Sequence, residues 1–109
     1  MQYLEFIETS YFTKRIKELL SDDEYAKFQH SLLQNPELGN IISGGGGLRK
    51  IRHAIHNKGK SSGIRAIYYY VVDSKIYLLT VYPKSEKDDL NKKELNILKQ
   101  LVKQELKHG

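Results

Sequence analysis

The spacing of apolar residues predicts that the chain begins with a short strand and two helices. Residues 3–7 alternate aromatic, aliphatic and acidic side chains, which is typical of a strand. Apolar residues then recur at helical spacing over 12–20 and again over 25–32. Ser21 and Glu24 have the spacing of a capping box at the start of the second helix. This half of the chain therefore predicts a strand followed by a helical hairpin.

The second half predicts a three-strand meander and a final helix. Residues 36–47, PELGNIISGGGG, contain four consecutive glycines and predict a surface loop. Strands follow over 48–55, 64–72 and 75–82, and the middle one is apolar on both faces, so we expect it at the centre of the sheet. A capping box and helical spacing predict a helix over 91–106.

These elements give the order β-α-α-β-β-β-α. This order predicts an α+β fold in which the helical hairpin packs on one face of an antiparallel sheet. A chain of 109 residues is long enough for one modest hydrophobic core, so we expect a single domain over residues 1–109.

Positive charge is concentrated in the middle of the chain. Residues 38–72 hold six Lys and Arg and no acid, whereas residues 1–37 have a net charge of −3 and residues 73–109 of +2. Charges on an outer strand can simply discourage edge pairing. Arginines without a nearby acid are more typical of a surface that binds a polyanion, and we expect the basic hairpin to have nothing nearby that neutralises it.

The composition is that of a folded domain and is consistent with a reducing compartment. The chain has no Cys, which excludes disulfides, thiolate metal sites and a Cys nucleophile. No segment approaches the length of a membrane span, and the N-terminus lacks the pattern of a signal peptide. We therefore expect a cytoplasmic protein with no membrane partner.

Side-chain alternation along the first strand of the basic hairpin separates its charges. Lys50 and Arg52 are predicted on one face, and Arg49 and His53 on the other. Two cations one repeat apart lie about 6 to 7 Å from each other, which matches successive phosphates on one nucleic-acid strand. Arg65 is predicted to open the neighbouring strand.

Two further groups of residues are predicted to extend this basic surface. If the hairpin loop folds back, Lys58 and Lys60 join the cations of the strands. Tyr82 and Lys84 follow the last strand and can reach over the open sheet face. Glu86 and Asp89 are then candidates to start the last helix or to hold the cations in place. Tyrosines on the last two strands can stack bases, although at least half of them are expected in the core.

RNA permits cleavage without a metal because its own 2′-hydroxyl can attack the adjacent phosphate. Lys and Arg can stabilise the developing charge, and His53 or His56 has a suitable intrinsic pKa for a base. The alternative is that both histidines only fill the strand or loop. They lack a third ligand, so we expect no metal site.

Several motifs, in order, resemble the RelE/HigB toxins of bacterial toxin–antitoxin systems. They are NPELG (35–39), LRKIR (48–52), NKGKSSGIR (57–65), AIYYYV (66–71) and LLTVYPKSEKDDL (78–90). The resemblance implies a RelE-like fold and a ribosome-dependent endoribonuclease (mRNA interferase) that cleaves translated mRNA in the A site. It also implies a cognate antitoxin, often a helix-turn-helix protein, through which alone operator DNA would be bound. No cofactor is expected from this resemblance.

The resemblance also implies roles for individual residues. The residues expected to stabilise the phosphate charge during catalysis are Arg65, Lys50, Arg52 and Lys84. Our candidates for RNA binding are Arg49, Lys58, Lys60, Tyr82, His53 and His56. Some family members carry an arginine and a tyrosine as acid–base groups where this chain has Ser85 and Asn91, so proton transfer stays unassigned.

Two alternatives to an mRNA nuclease remain open at the level of sequence. One is a toxin of the same fold that acts on a protein such as gyrase, against which the acid-free hairpin argues. The other is a non-catalytic RNA-binding module, which would bind RNA in a salt-dependent way without cleaving it.

Overall fold

A computed structural model describes residues 4–57 and 60–108 of the chain. The elements are β1 (Glu5–Glu8), α1 (Ser10–Leu19), α2 (Asp22–Gln34), β2 (Asn40–Ile41), β3 (Arg49–Asn57), β4 (Lys60–Val71), β5 (Lys75–Pro83) and α3 (Lys92–His108). The predicted elements are all present, and β2 is an addition.

The strands form one mixed five-stranded sheet in the order β1-β5-β4-β3-β2. β1 runs parallel to β5, whereas the other neighbours are antiparallel. The predicted meander therefore forms the middle of the sheet, β4 is its central strand, and the predicted α+β fold is confirmed.

Helices cover both faces of the sheet. Phe12 of α1 and Phe28 of α2 pack with Ala66 and Tyr68 of β4 in one core cluster. α3 packs on the opposite face, where Leu98 contacts a second cluster that contains Ile67 and Tyr82. β4 is apolar on both faces because it lies between these two layers.

Capping explains where two of the helices begin. The Ser21 hydroxyl accepts a hydrogen bond from the Glu24 amide (3.2 Å), which caps α2. Before α3, Asn91 and Glu94 bond reciprocally: the Asn91 side chain accepts from the Glu94 amide (2.8 Å), and the Glu94 carboxylate accepts from the Asn91 amide (3.0 Å). The second pair forms the complete capping box that the sequence predicted.

The predicted loop over 36–47 is partly strand. Asn40 pairs with Lys50 of β3, which adds the edge strand β2. Just before it, Gly39 donates its amide to the Tyr68 hydroxyl (2.8 Å), and that hydroxyl donates to the Pro36 carbonyl (2.7 Å). A Cβ at Gly39 would lie 2.8 Å from the Tyr68 ring, so the close packing requires glycine here.

The basic hairpin is also longer than predicted. β3 continues to Asn57 and β4 begins at Lys60, so the residues expected to form a folded-back loop are mostly paired strand. Arg65 consequently lies well inside β4 and does not open it. No helix among the described residues has the length and apolarity needed to cross a bilayer.

Candidate nucleic-acid interface

Three cations converge on the sheet face that carries α3. Arg52 of β3 is the register partner of Arg65 of β4, which in turn pairs with Tyr82 of β5. Lys50 lies one repeat along β3 on the same face. Register partners in a sheet point to the same side, so these residues share one surface. We call Lys50, Arg52 and Arg65 the basic cluster.

Two of these cations are covered by acids from the segment that links β5 to α3. Lys50 forms an ion pair with Asp89 and donates to the Asp88 carbonyl (3.1 Å). Arg65 donates from Nε to Asp88 Oδ1 (3.1 Å). The expectation that nothing neutralises the basic hairpin is therefore wrong, whereas the predicted contact between Asp89 and the cations is present.

The three cations differ in how accessible they are. The side chains of Lys50 and Arg65 are only 13% and 14% exposed, and each is capped by a carboxylate that is more than half exposed. Arg52 is exposed and forms no hydrogen bond or ion pair with any residue that the structure describes. An incoming phosphate can therefore reach Arg52 directly and must displace carboxylates to reach the other two.

Electrostatics of the cluster perturb two neighbouring groups. The hydrogen bond from Arg65 holds the pKa of Asp88 below its usual value, and Lys50 and Arg52 act in the same direction. Burial of the phenol, followed by the carboxylates of Asp89 and Asp88, raises the pKa of Tyr82 to about 12. At neutral pH Asp88 is thus an anion and a weak base, and the Tyr82 hydroxyl is protonated.

Tyr82 was predicted to contact RNA, but it is almost completely buried. Its ring packs in the core under α3, and its hydroxyl donates to the Asp88 carbonyl (3.3 Å). Lys87 lies 5.2 Å from the ring centroid and pairs with Glu94. In this arrangement Tyr82 positions the acidic segment and presents no stacking surface to a base.

A second anchor holds the same segment at its other end. Glu86, a predicted partner of the cations, instead pairs with Arg15 of α1 (2.7 Å). Lys84 donates its amide to the Gly63 carbonyl (3.0 Å), while its exposed side chain has no partner among the described residues. We call residues 84–91 the acidic strap because they connect β5 to α3 across the basic cluster.

Two predicted RNA-binding residues lie on the opposite face of the sheet, as side-chain alternation indicated. Arg49 donates to the carbonyls of Glu37 (3.2 Å) and Gly39 (2.8 Å), so it fastens the segment before β2. His53 lies 3.1 Å from the Glu24 carboxylate and meets the Phe28 ring edge-on, with 5.6 Å between centroids. Neither residue is brought to the basic cluster.

The side chains of the three remaining candidates lie outside what the structure describes. Lys58 falls between the described ranges. For His56 and Lys60 only the backbone is described, in β3 and β4. Their predicted roles in RNA binding stay predictions.

A cleft of about 420 Å³ opens beside the cluster, between β2, the acidic strap and α3. It is lined by Asn40, Ile41, Ile42, Ser43, Lys50, Arg52, Ile67, Asp89, Leu90 and Leu95. Sequence reasoning missed this cleft and the role of Asp88, because both depend on segments far apart in the chain. The only signal for Asp88 was its place beside Asp89 in a short segment after a strand.

Metal ligands do not cluster in the described part of the chain: no group of three or more His, Asp or Glu is placed to hold an ion. The basic cluster itself offers fixed cations, with two guanidinium groups in register on adjacent strands.

Comparison with known families decides the class of protein. Residues 8–108 match the family model of the RelE toxin of the RelE/RelB toxin–antitoxin system. The chain belongs to the RelE toxin family. It is thus the toxin component of a toxin–antitoxin system, and membership implies an antitoxin as partner. RelE toxins are generally ribonucleases. The role in phosphate binding that the resemblance implies for Lys50, Arg52 and Arg65 stays a prediction.

Proposed function

We propose that the protein is a ribosome-dependent endoribonuclease that cleaves translated mRNA in the A site and so inhibits translation in the cytoplasm. The observation that carries this proposal is the register pairing of Arg52 with Arg65 on a face that also bears Lys50. Guanidinium groups bind phosphate oxygens in a planar, bidentate way. Membership of the RelE family supports RNA as the substrate.

In the reaction that we propose, the RNA supplies its own nucleophile. The 2′-oxygen attacks the adjacent phosphorus, the bond to the 5′-oxygen of the next nucleotide breaks, and a 2′,3′-cyclic phosphate forms. One proton leaves the 2′-hydroxyl and one is delivered to the departing 5′-oxygen. Negative charge grows on the phosphoryl oxygens, and fixed cations that face this charge lower the barrier.

The roles of single residues follow from their positions. Arg52 is open to solvent and receives the phosphate first, and Arg65 and Lys50 engage it as Asp88 and Asp89 give way. Lys84, exposed and directly after β5, supplies a further positive charge in the same proposal. His53 lies on the α2 face, so it does not serve as the base for a phosphate held here.

The partner that restrains this activity is, in the same proposal, a helix-turn-helix antitoxin that also carries the complex to operator DNA. Its existence follows from family membership. The helix-turn-helix class and the operator contact come from the sequence resemblance alone.

Replacing Arg65 tests the proposal in cells. We expect Arg65→Ala to lower the rate of mRNA cleavage about 100-fold or more, the usual cost of losing one preorganised electrostatic contact, and to abolish growth arrest. Lys17→Ala is the matched control, since it also removes one charge but from an exposed site on α1, on the other face. Circular dichroism of both purified variants confirms folding. A folded Arg65→Ala protein that still arrests growth would contradict the assignment.

A further inference from the structure

The cleft beside the basic cluster has a wall that is fixed from the far side of the sheet. β2 forms this wall, and the segment before it is held by Tyr68, which bonds both Pro36 and Gly39. Arg49 adds a bond to the Gly39 carbonyl (2.8 Å). Three hydrogen bonds to one short segment make the wall preorganised, which favours binding because little order is lost when a ligand enters.

The interior of the cleft combines an apolar floor with polar edges. Ile67 is completely buried at its base, and Leu90 and Leu95 of the second core cluster line the side toward α3. Asn40 and Ser43 are exposed at the rim and have no side-chain partner among the described residues. A flat apolar group with hydrogen-bonding edges fits such a lining, and a nucleobase is a group of this kind.

Charge and register place this cleft next to the phosphate-binding cations. Asn40 pairs with Lys50, and Lys50 pairs with Ile67, so rim, cation and floor form one row across three strands. The neighbouring row on the same face holds Arg52 opposite Arg65. The two rows are one strand repeat apart, about 6 to 7 Å. A single nucleotide therefore reaches from one row to the other.

We propose that the cleft is a nucleobase pocket for one unpaired RNA nucleotide whose phosphate lies on Arg52 and Arg65. The inference rests on the proposed function and specifies which part of the chain senses base identity. Asn40 offers both a donor and an acceptor to the edge of the base, and the Ser43 hydroxyl offers either. The volume of about 420 Å³ is within the range of small-ligand pockets.

Titration with mononucleotides tests the pocket without ribosomes or cleavage. Purified ¹⁵N-labelled protein is titrated with each of the four nucleoside 5′-monophosphates and with ribose 5-phosphate, which carries the same phosphate but no base. We expect amide shifts at residues 40–43 and 90. At least one nucleotide should bind about 5-fold or more tighter than ribose 5-phosphate, because the base buries apolar surface against the lining of the cleft.

A blocking variant makes the test specific. Ser43→Trp puts a large side chain at the rim of the cleft. We expect this variant to bind the nucleotide no more tightly than ribose 5-phosphate, while its affinity for ribose 5-phosphate stays as in the wild type. Ala26→Trp is the control, because Ala26 is exposed on α2 on the opposite face. Equal affinity for nucleotides and ribose 5-phosphate in the wild type would overturn the proposal of a nucleobase pocket. A Ser43→Trp protein that still binds the nucleotide more tightly than ribose 5-phosphate would overturn it as well. Either result is independent of whether the toxin cleaves mRNA.

Discussion

The acidic strap should weaken RNA binding, and removing its charge should strengthen it. Asp88 and Asp89 pair with two of the three cations of the basic cluster, which leaves the group with a net charge of +1. In Asp88→Asn/Asp89→Asn the net charge becomes +3, while the side chains keep their size and an oxygen that accepts hydrogen bonds. One partly exposed ion pair usually changes an equilibrium constant about 1.4- to 5-fold. Adjacent residues of one network do not act independently, so we expect the two changes together to tighten binding roughly 2-fold or more.

The salt dependence of RNA binding provides a second quantitative prediction for Asp88→Asn/Asp89→Asn. Every phosphate that a protein cation neutralises on a single strand adds about 0.7 to the slope of log K against log salt. If Lys50, once freed from Asp89, neutralises a second phosphate beside the one on Arg52 and Arg65, the slope should steepen by about 0.7. Fluorescence anisotropy with a labelled single-stranded RNA, measured across a series of salt concentrations, gives the affinity and the slope together.

A second pair of adjacent aspartates provides the control. Asp22→Asn/Asp23→Asn makes the same change in net charge at exposed positions at the start of α2, on the other face of the sheet. We expect its affinity and slope to stay close to those of the wild type. If both double variants behave alike, overall charge explains the effect. If the strap variant matches the wild type, phosphate does not compete with Asp88 and Asp89, and the account of the cluster is wrong.

Two tyrosines on the central strands support further predictions. Tyr68→Phe removes the hydroxyl that bonds both Gly39 and Pro36. Leaving these buried groups unpaired should lower the free energy of unfolding by about 1 to 3 kcal/mol, as measured by urea titration. A loss below the error of the measurement would show that this anchor is dispensable. Because the fold raises the pKa of Tyr82 to about 12, above its ordinary value near 10, its stabilising contribution is complete below pH 10 and is lost as the pH rises through 12. Between pH 9 and pH 11.5 the free energy of unfolding should therefore fall less in Tyr82→Phe than in the wild type. An identical fall in both proteins would contradict the raised pKa of Tyr82.

Most of the fold was predictable because it depends on local patterns. Helical spacing, capping residues such as Asn91 and a β4 segment apolar on both faces predicted the helices, the meander and the central strand. β2 was missed because two residues are too few to show any periodicity, and its position depends on Tyr68, which lies 29 residues from Gly39. Polar, glycine-containing residues at the start of β4 were interpreted as a loop, although pairing with β3 overrides that preference.

The side of the sheet on which the cations of the candidate site lie could be predicted from the sequence, but the acidic groups around them could not all be predicted. Alternation along β3 correctly separated Lys50 and Arg52 from Arg49 and His53, since that separation depends only on the strand period. Asp89 was among the predicted partners of the cations, but Asp88 was missed because charge was compared along the chain, whereas Asp88 reaches Arg65 across 23 residues. The position of a linking segment over a sheet is set by tertiary contacts such as the pair between Arg15 and Glu86, which no local pattern encodes.

The most direct test of the central claim is to map mRNA ends in a reconstituted translation reaction that contains the purified toxin. We expect new 5′ ends in the codon of the A site, 2′,3′-cyclic or 3′-phosphate on the upstream fragment, and no cut in the same RNA without ribosomes. A 2′-O-methyl group on the nucleotide before the cut should block cleavage there, because the attacking hydroxyl is gone. Intact mRNA with folded toxin would contradict the nuclease account, and a cut that persists beside the 2′-O-methyl group would contradict its mechanism.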